Sequence, residues 1–351
     1  MKRMVAVIAV MMLSVMFGYG CKGAATGPIS STVPTAATKA ITSGADNLFV
    51  TQKSDGGWQW ENPDTITSSG VPTPNNTLGV TAQGLLDAYK ISPDALKMNG
   101  CINTYDRLVS NSTNVTDPSV YKMRGPDITF LVELSEVTGN ATYAAFARTR
   151  YQADLTAFGA GLGATGFAQY IRDIRKGQGL PALISWDINL YIQGVLALKR
   201  YYAGQGYDAD AKAMAEVIYT SLYTLPKDFD LSNLDQASYW LSLTGAIEAF
   251  VTTGLHLAES AALVTTLKAS QQSDGSFLDV IPPSSPSEDA QATAYAVMAL
   301  LKAGERAAAQ KGVEYLIINQ LPNGEWTEDG GSVENTESTS EAIQAIYDFS
   351  K

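Results

Sequence analysis

An all-α fold, in which six helical hairpins close into a double-walled ring, is what this 351-residue sequence predicts. Three observations lead there. A seven-residue pattern occurs as Gln52-Lys-Ser-Asp55-Gly56-Gly-Trp58, Gln271-Gln-Ser-Asp274-Gly275-Ser-Phe277 and Gln320-Leu-Pro-Asn323-Gly324-Glu-Trp326. Each copy follows one segment with helical spacing of apolar residues and precedes another. No convincing run of alternating strand residues interrupts them. Within each copy, Gly accepts a positive φ at no steric cost and Asp or Asn closes a tight turn, so the triplet marks a chain reversal between helices. The Gln amide is expected to cap backbone groups at a neighbouring helix end, and the aromatic to seal the apolar seam between repeats.

The same rhythm of helix, polar loop and more apolar helix continues in degraded form between the explicit copies. The first hairpin runs from about Ala40 to Ser92, its second helix Leu78 to Tyr89 carrying Leu78, Ala82, Leu85, Leu86 and Tyr89 at helical spacing. The second, Leu96 to Asn140, closes with Asp127 to Thr138 and a Gly139 cap. The third, Ala141 to Gly206, holds a long insert before its closing helix Asp187 to Tyr202. The fourth, fifth and sixth close with Gln236 to Phe250, Ala290 to Leu301 and Thr339 to Phe349. Hairpins of about fifty residues bury their seams only against each other, and ring closure removes the ends an open stack would expose. The closing helices are apolar on more than one face, which suits an inner ring inside an outer one.

Residues 40–351 therefore read as one domain, although the length alone would suggest two. The segment before it has a different character. Lys2 and Arg3, the apolar stretch Met4 to Phe17 and the small residues up to Gly20 read as a signal peptide over residues 1–20. The Gly20-Cys21 junction resembles the lipobox of bacterial lipoproteins, although Gly18 and Tyr19 depart from its pattern, and implies lipid on Cys21 and a place in the bacterial cell envelope. Residues 21–39, rich in Ser, Thr, Pro, Ala and Gly, have the composition of a flexible tether. With Cys21 lipidated, Cys101 is a lone cysteine and reads as a small core residue; a Cys21–Cys101 disulfide is the alternative if cleavage takes another route. A formal charge of -11 argues against a nucleic-acid partner.

On the Gln-x-x-Asp-Gly-x-Trp heptamers and six hairpins, residues 40 to 350 resemble the terpenoid cyclase and protein prenyltransferase superfamily, which implies an (α/α)6 toroid. Its members span squalene and hopene cyclases, prenyltransferase β subunits and complement-like thioester domains, with structurally similar polysaccharide lyases, so the fold leaves function open. The Asp-x-Asp-Asp acid of the squalene-hopene branch is missing; Asp208-Ala-Asp210, the nearest approach, stands at a helix start where capping explains it. The Cys-Gly-Glu-Gln thioester string is missing too. One histidine, His256, and a distant Cys101 do not make a prenyltransferase zinc site.

In a toroid the inner helices run parallel, and their N-terminal ends gather at one mouth with partial positive charge. Those ends carry Asn75 and Asn76, Arg124 with Asp127, Trp186 with Asp187, Asp235 with Gln236 and Tyr239, Glu288 with Asp289, and Asn335 with Glu337, while Tyr295 and Glu341 lie within the next turns. Asp127, Asp187, Asp235, Asp289 and Glu337 are the catalytic candidates, as general acid and base or as calcium oxygens. Trp186, Tyr239, Trp240 and Tyr295 are the aromatic candidates for sugar binding. The competing reading is that each carboxylate caps its own helix. No cofactor is required, and calcium is the one candidate.

The insert in the third hairpin contains Gly161-Leu-Gly163-Ala-Thr-Gly166, a string like a dinucleotide fingerprint but without the strand–helix setting that fingerprint needs. It reads instead as a glycine-rich flap. Tyr170-Ile-Arg172-Asp-Ile-Arg175-Lys176 comes next, so that Tyr170, Arg172 or Arg175, with Arg124, would meet an acidic sugar if the flap covers the mouth. A solvated helix face is the plain alternative. Asp228-Phe-Asp230-Leu-Ser232 lacks the Gly and distant Glu of a calcium loop and reads as a turn. Two functions are expected from these features. One is an exported, lipid-anchored toroid binding a glycan, with polysaccharide lyase or hydrolase activity; the other is a non-catalytic envelope scaffold with a protein partner. A terpenoid cyclase comes third.

Overall fold

A computed structural model describes residues 33–59, 77–114, 124–232, 239–278, 289–327 and 335–351. Among them are thirteen helices and no β-strand: α1 (Val33–Thr51), α2 (Leu78–Ile91), α3 (Ala95–Asn114), α4 (Gly125–Thr138), α5 (Ala141–Phe158), α6 (Gly163–Gly177), α7 (Leu183–Tyr201), α8 (Tyr207–Tyr223), α9 (Tyr239–Thr253), α10 (Leu257–Ser270), α11 (Ala290–Lys302), α12 (Arg306–Ile318) and α13 (Thr336–Ser350). Helices α2, α4, α7, α9, α11 and α13 pack each on the next, and α13 packs back on α2. The chain is thus an all-α toroid: these six form the inner wall, and the others lie outside them. Helix α1 begins at Val33, inside the stretch read as tether, because Ala37 and Ala40 are buried in the core.

The heptamers form the joints between neighbouring hairpins. Gln52 donates its amide to its own turn at Gly56 O (3.1 Å) and to Gly100 O of α3 (2.9 Å). Gln271 repeats this with Gly275 O and Ala308 O of α12, and Gln320 with Gly324 O and Ala40 O of α1. The last of these joins the end of the chain to its beginning. Trp58 and Trp326 are fully buried, and each indole N–H donates to a carbonyl ten residues back, Leu48 O and Leu316 O, both at 2.7 Å. The turn glycine is required twice over at Gly324. Its φ is +95°, and a Cβ there would lie 2.3 Å from Ser43 O of α1.

The closure between α13 and α2 is polar as well as apolar. Ser340 Oγ accepts from Gly84 N (3.2 Å) and donates to Val80 O (2.6 Å), and Gln344 Nε2 also donates to Val80 O (3.1 Å). Cys101 is fully buried in the core, and burial pushes its thiol far above the ordinary range. Among the described residues, no helix is long and apolar enough to cross a membrane.

The insert differs from the expected flap. Gly159, Gly161, Gly163 and Gly166 build a tight helix–helix turn, in which a Cβ at Gly166 would lie 1.9 Å from Gly159 O. The turn leads into a regular helix, α6, wedged between α5, α7 and α8.

Candidate functional site

The space inside the ring is divided by a waist of Val80, Pro126, Trp186, Leu190 and Tyr295, which line chambers on both sides. The first chamber, of about 340 Å³, lies at the N-terminal ends of the inner helices. The lumen receives residues at helical spacing from each inner helix, as on α13, where Glu337 and Glu341 face this chamber while Gln344 and Asp348, with Lys351 just beyond the helix, face the other.

Glu341 is the chemical centre of the first chamber. Its residue is 2 % exposed, and the Tyr295 hydroxyl donates to Oε1 in a short hydrogen bond. Oε2 is buried without a hydrogen bond of ordinary geometry, although the Gln291 side chain approaches the same carboxyl. Burial raises its pKa well above the carboxylate range, the charge on Glu337 adds to that, and the Tyr295 bond opposes it without reversing it. Tyr295 is itself fixed by aromatic contacts, with Trp186 at 3.9 Å between ring centroids and Trp240 at 5.8 Å. The result is a buried carboxyl in an aromatic wall, biased by its surroundings towards the protonated form.

Of the five catalytic candidates, two remain in the chamber. Asp187 and Glu337 line it, and Asp187 is ion-paired with Arg175 of α6. Asp187 is free of capping because α7 starts at Leu183, a turn earlier than the apolar periodicity indicates. Asp127 is a cap: Oδ2 accepts from Arg124 N and Oδ1 from Gly79 N of α2, both at 2.9 Å. Burial lifts its pKa to about 6 against the pull of those amides. Asp289 likewise caps α11, its Oδ1 accepting from Gln291 N (2.6 Å) and Ala292 N (3.2 Å). Asp235 lies outside the described residues, as do Asn75, Asn76, Gln236, Glu288 and the lipidation candidate Cys21.

The ligand-binding candidates divide in the same way. Arg124, Arg175, Trp186 and Tyr295 line the chamber. From α6, Ile171, Ile174, Arg175 and Gln178 do so at the i, i+3, i+4, i+7 spacing of one helix face. Tyr170 and Arg172 are off that face: Tyr170 stacks on Phe158 at 4.6 Å, and Arg172 pairs with Asp173 and Asp228. Trp240 supports the wall from behind, 6.4 Å from Trp186. Tyr239 is buried and lines a separate apolar cavity of about 250 Å³ with Trp240. His256 sits at the start of α10, stacked on Tyr219 (3.8 Å) and 3.1 Å from Glu216, away from the chamber. Among the described residues, no group of His, Cys, Asp and Glu is arranged to hold a metal ion; Asp230 closes a turn by accepting from Ser232 N.

Glu341 is missing from the five catalytic candidates because those lie at the helix ends and it lies one turn inside. Its signal in the sequence is a Glu beside Ala342, Ile343, Ala345 and Ile346 of a buried helix.

Neither family sequence models nor the sequences of curated proteins match the chain. Solved structures do. A mutant unsaturated glucuronyl hydrolase from Streptococcus agalactiae aligns with a TM-score of 0.64 at 14% identity, covering 91% of this chain and 91% of that one. A possible GH105 family member from Klebsiella pneumoniae aligns at 0.58 and 14% identity, over 92% and 94% of the two chains. A type II terpene cyclase from Scytonema aligns at 0.54 and 14% identity, over 91% and 99%. At these identities the likeness shows the toroid fold that the chain shares with all three.

Proposed function

We propose that the first chamber is an active site that delivers a proton from Glu341 to an anionic glycan, cleaving it as a hydrolase. The observation that carries this is the buried Glu341 carboxyl held by Tyr295, with burial raising its pKa. In this reading Arg124 and Arg175 receive the carboxylate of a uronic-acid sugar, and the Trp186 face seats its ring. Glu341 gives its proton to the sugar's reacting oxygen or double-bond carbon, and Asp187 orients the attacking water and takes the proton it loses. The unsaturated glucuronyl hydrolase among the structural neighbours supports this class of substrate. The test is incubation with unsaturated uronyl oligosaccharides and intact uronic-acid polysaccharides, monitoring reducing ends and the loss of ultraviolet absorbance. Turnover that disappears in Glu341→Gln supports the proposal; no turnover on either class counts against it.

One observation favours a second reading, a terpenoid cyclase. Trp186, Tyr295 and Trp240 form a contiguous aromatic cluster beside the same acid, and π faces stabilise a carbocation produced by protonating an alkene. Cyclic products from a polyprenyl substrate would select it, and inactivity on glycans and polyprenyls alike would leave a non-catalytic envelope scaffold. We also propose that the protein works outside the cytoplasm, held by lipid on Cys21; radiolabelled fatty acid incorporated by the native chain but not by Cys21→Ala tests this.

A further inference from the structure

We infer that the second chamber, at the C-terminal ends of the inner helices, is a binding site for a small organic ammonium ligand. The chamber measures about 360 Å³, within the range of small-molecule sites, and all its lining residues belong to the described helices or the C-terminus. Its deep wall is rich in acceptors. Asp87 of α2 is 4 % exposed and Glu248 of α9 8 %, with the partly buried Glu133 of α4 beside them. Lys90 of α2, partly buried beside the chamber, pairs with both Asp87 (2.8 Å) and Glu133.

Gln83 supplies the independent observation. It is also 8 % exposed, and its Nε2 donates to Asp87 Oδ1 (3.0 Å) and Glu133 Oε2 (2.9 Å). Because Glu133 is ion-paired with Lys90 and accepts only, the amide nitrogen faces it, and Oε1 is left buried without a donor. Glu248 receives a single amide bond, from Asn189 Nδ2 at 3.2 Å. Three cations stand at the rim: Arg200 pairs with Glu136 and reaches Glu133 at 3.4 Å, Lys351 pairs with Asp348, and Lys302 lines the chamber on the side of Glu248. The helix C-termini converging here add negative potential. An alkylammonium group brings three donors to a wall where Gln83 Oε1 has none and Glu248 has one, and places its charge beside that buried carboxyl.

The inference is independent of the chemistry in the first chamber. It is tested on the intact protein by calorimetric titration with 1,4-diaminobutane, butane-1,4-diol and succinate, probes of one length and different charge. We expect one diamine site per chain, at least tenfold tighter than the diol, with no succinate binding. Glu248→Gln should weaken the diamine by about tenfold or more, as loss of a buried charge-assisted bond does. Lys302→Glu, a change at the rim, should tighten it about threefold, and Glu341→Gln should leave it unchanged. Equal affinity for diamine and diol, tighter succinate binding, or indifference to both Glu248→Gln and Lys302→Glu would overturn the inference. If Glu248→Gln does not fold, the wild-type titrations and Lys302→Glu decide.

Discussion

Glu341 differs from the other carboxylates of the ring in what surrounds it. Asp127 and Asp289 sit where backbone amides point at them, and their oxygens are spent on those amides. Glu341 sits one turn deeper, where the helix amides are already used and burial decides its protonation. Replacing Asp127 by Ala should therefore cost roughly 1–2 kcal/mol in chemical denaturation while turnover per folded molecule is preserved, as for a lost cap; a large loss of turnover with unchanged stability would make Asp127 catalytic instead. For Glu341, the folded state keeps a proton above the unfolded carboxyl value of about 4.3. Between that value and its raised folded pKa the native state binds more protons than the unfolded one, so this group's contribution to stability declines as pH rises. Glu341→Gln mimics the neutral acid and removes that decline. The stability difference, measured by urea unfolding from pH 5 to 8, should therefore move steadily in favour of the variant.

At the scale of elements, α6 and the heptamer turns decide what reaches the chamber and what holds the ring. Helix α6 presents only one face to the chamber, so the basic run Arg172–Lys176 is divided: Arg175 meets Asp187, while Arg172 and Lys176 hold Asp228. Arg175→Ala should raise KM for an anionic glycan by about tenfold with a smaller change in kcat, whereas Arg172→Ala should change neither. For the turns, Gly324→Ala meets both a positive φ and the Ser43 carbonyl, whereas Gly304, at φ +79°, has open space around its missing Cβ. Each should cost about 1–3 kcal/mol from strain, and Gly324→Ala should cost measurably more; equal denaturation midpoints would mean that the joint between α12 and α1 is not the close contact described. The helices themselves are legible in the sequence because apolar spacing survives where the heptamer has decayed: it locates the closing helix of every hairpin, most of them within a few residues. The contents of the chamber are less legible. Helix ends announce themselves through capping residues, but whether Arg172 or Arg175 faces the lumen depends on the angle at which α6 docks, and a turn's error at the start of α7 hides that Asp187 is no cap.

For the whole molecule, closure creates both chambers, since each draws its walls from helices far apart in sequence. Ser340 and the α2 backbone, some 256 residues apart, share hydrogen bonds at the seam. Ser340→Ala should reduce hydrogen-exchange protection in α2 as well as in α13, since unpaired buried groups cost about 1–3 kcal/mol; protection lost only in α13 would indicate an open stack. The heptamers point to closure through their repetition, but the joining of Gln320 to Ala40 is visible only in three dimensions, because no local pattern states which distant helix a cap will reach. The most direct test of Glu341 as the proton donor is the pH dependence of turnover on an unsaturated uronyl oligosaccharide by the wild-type protein and Glu341→Gln, side by side. A buried acid with a raised pKa predicts a wild-type rate that falls as rising pH ionises it, with a midpoint above the ordinary carboxylate range, and a loss of about 100-fold or more in the variant; a variant that turns over at the wild-type rate would contradict it.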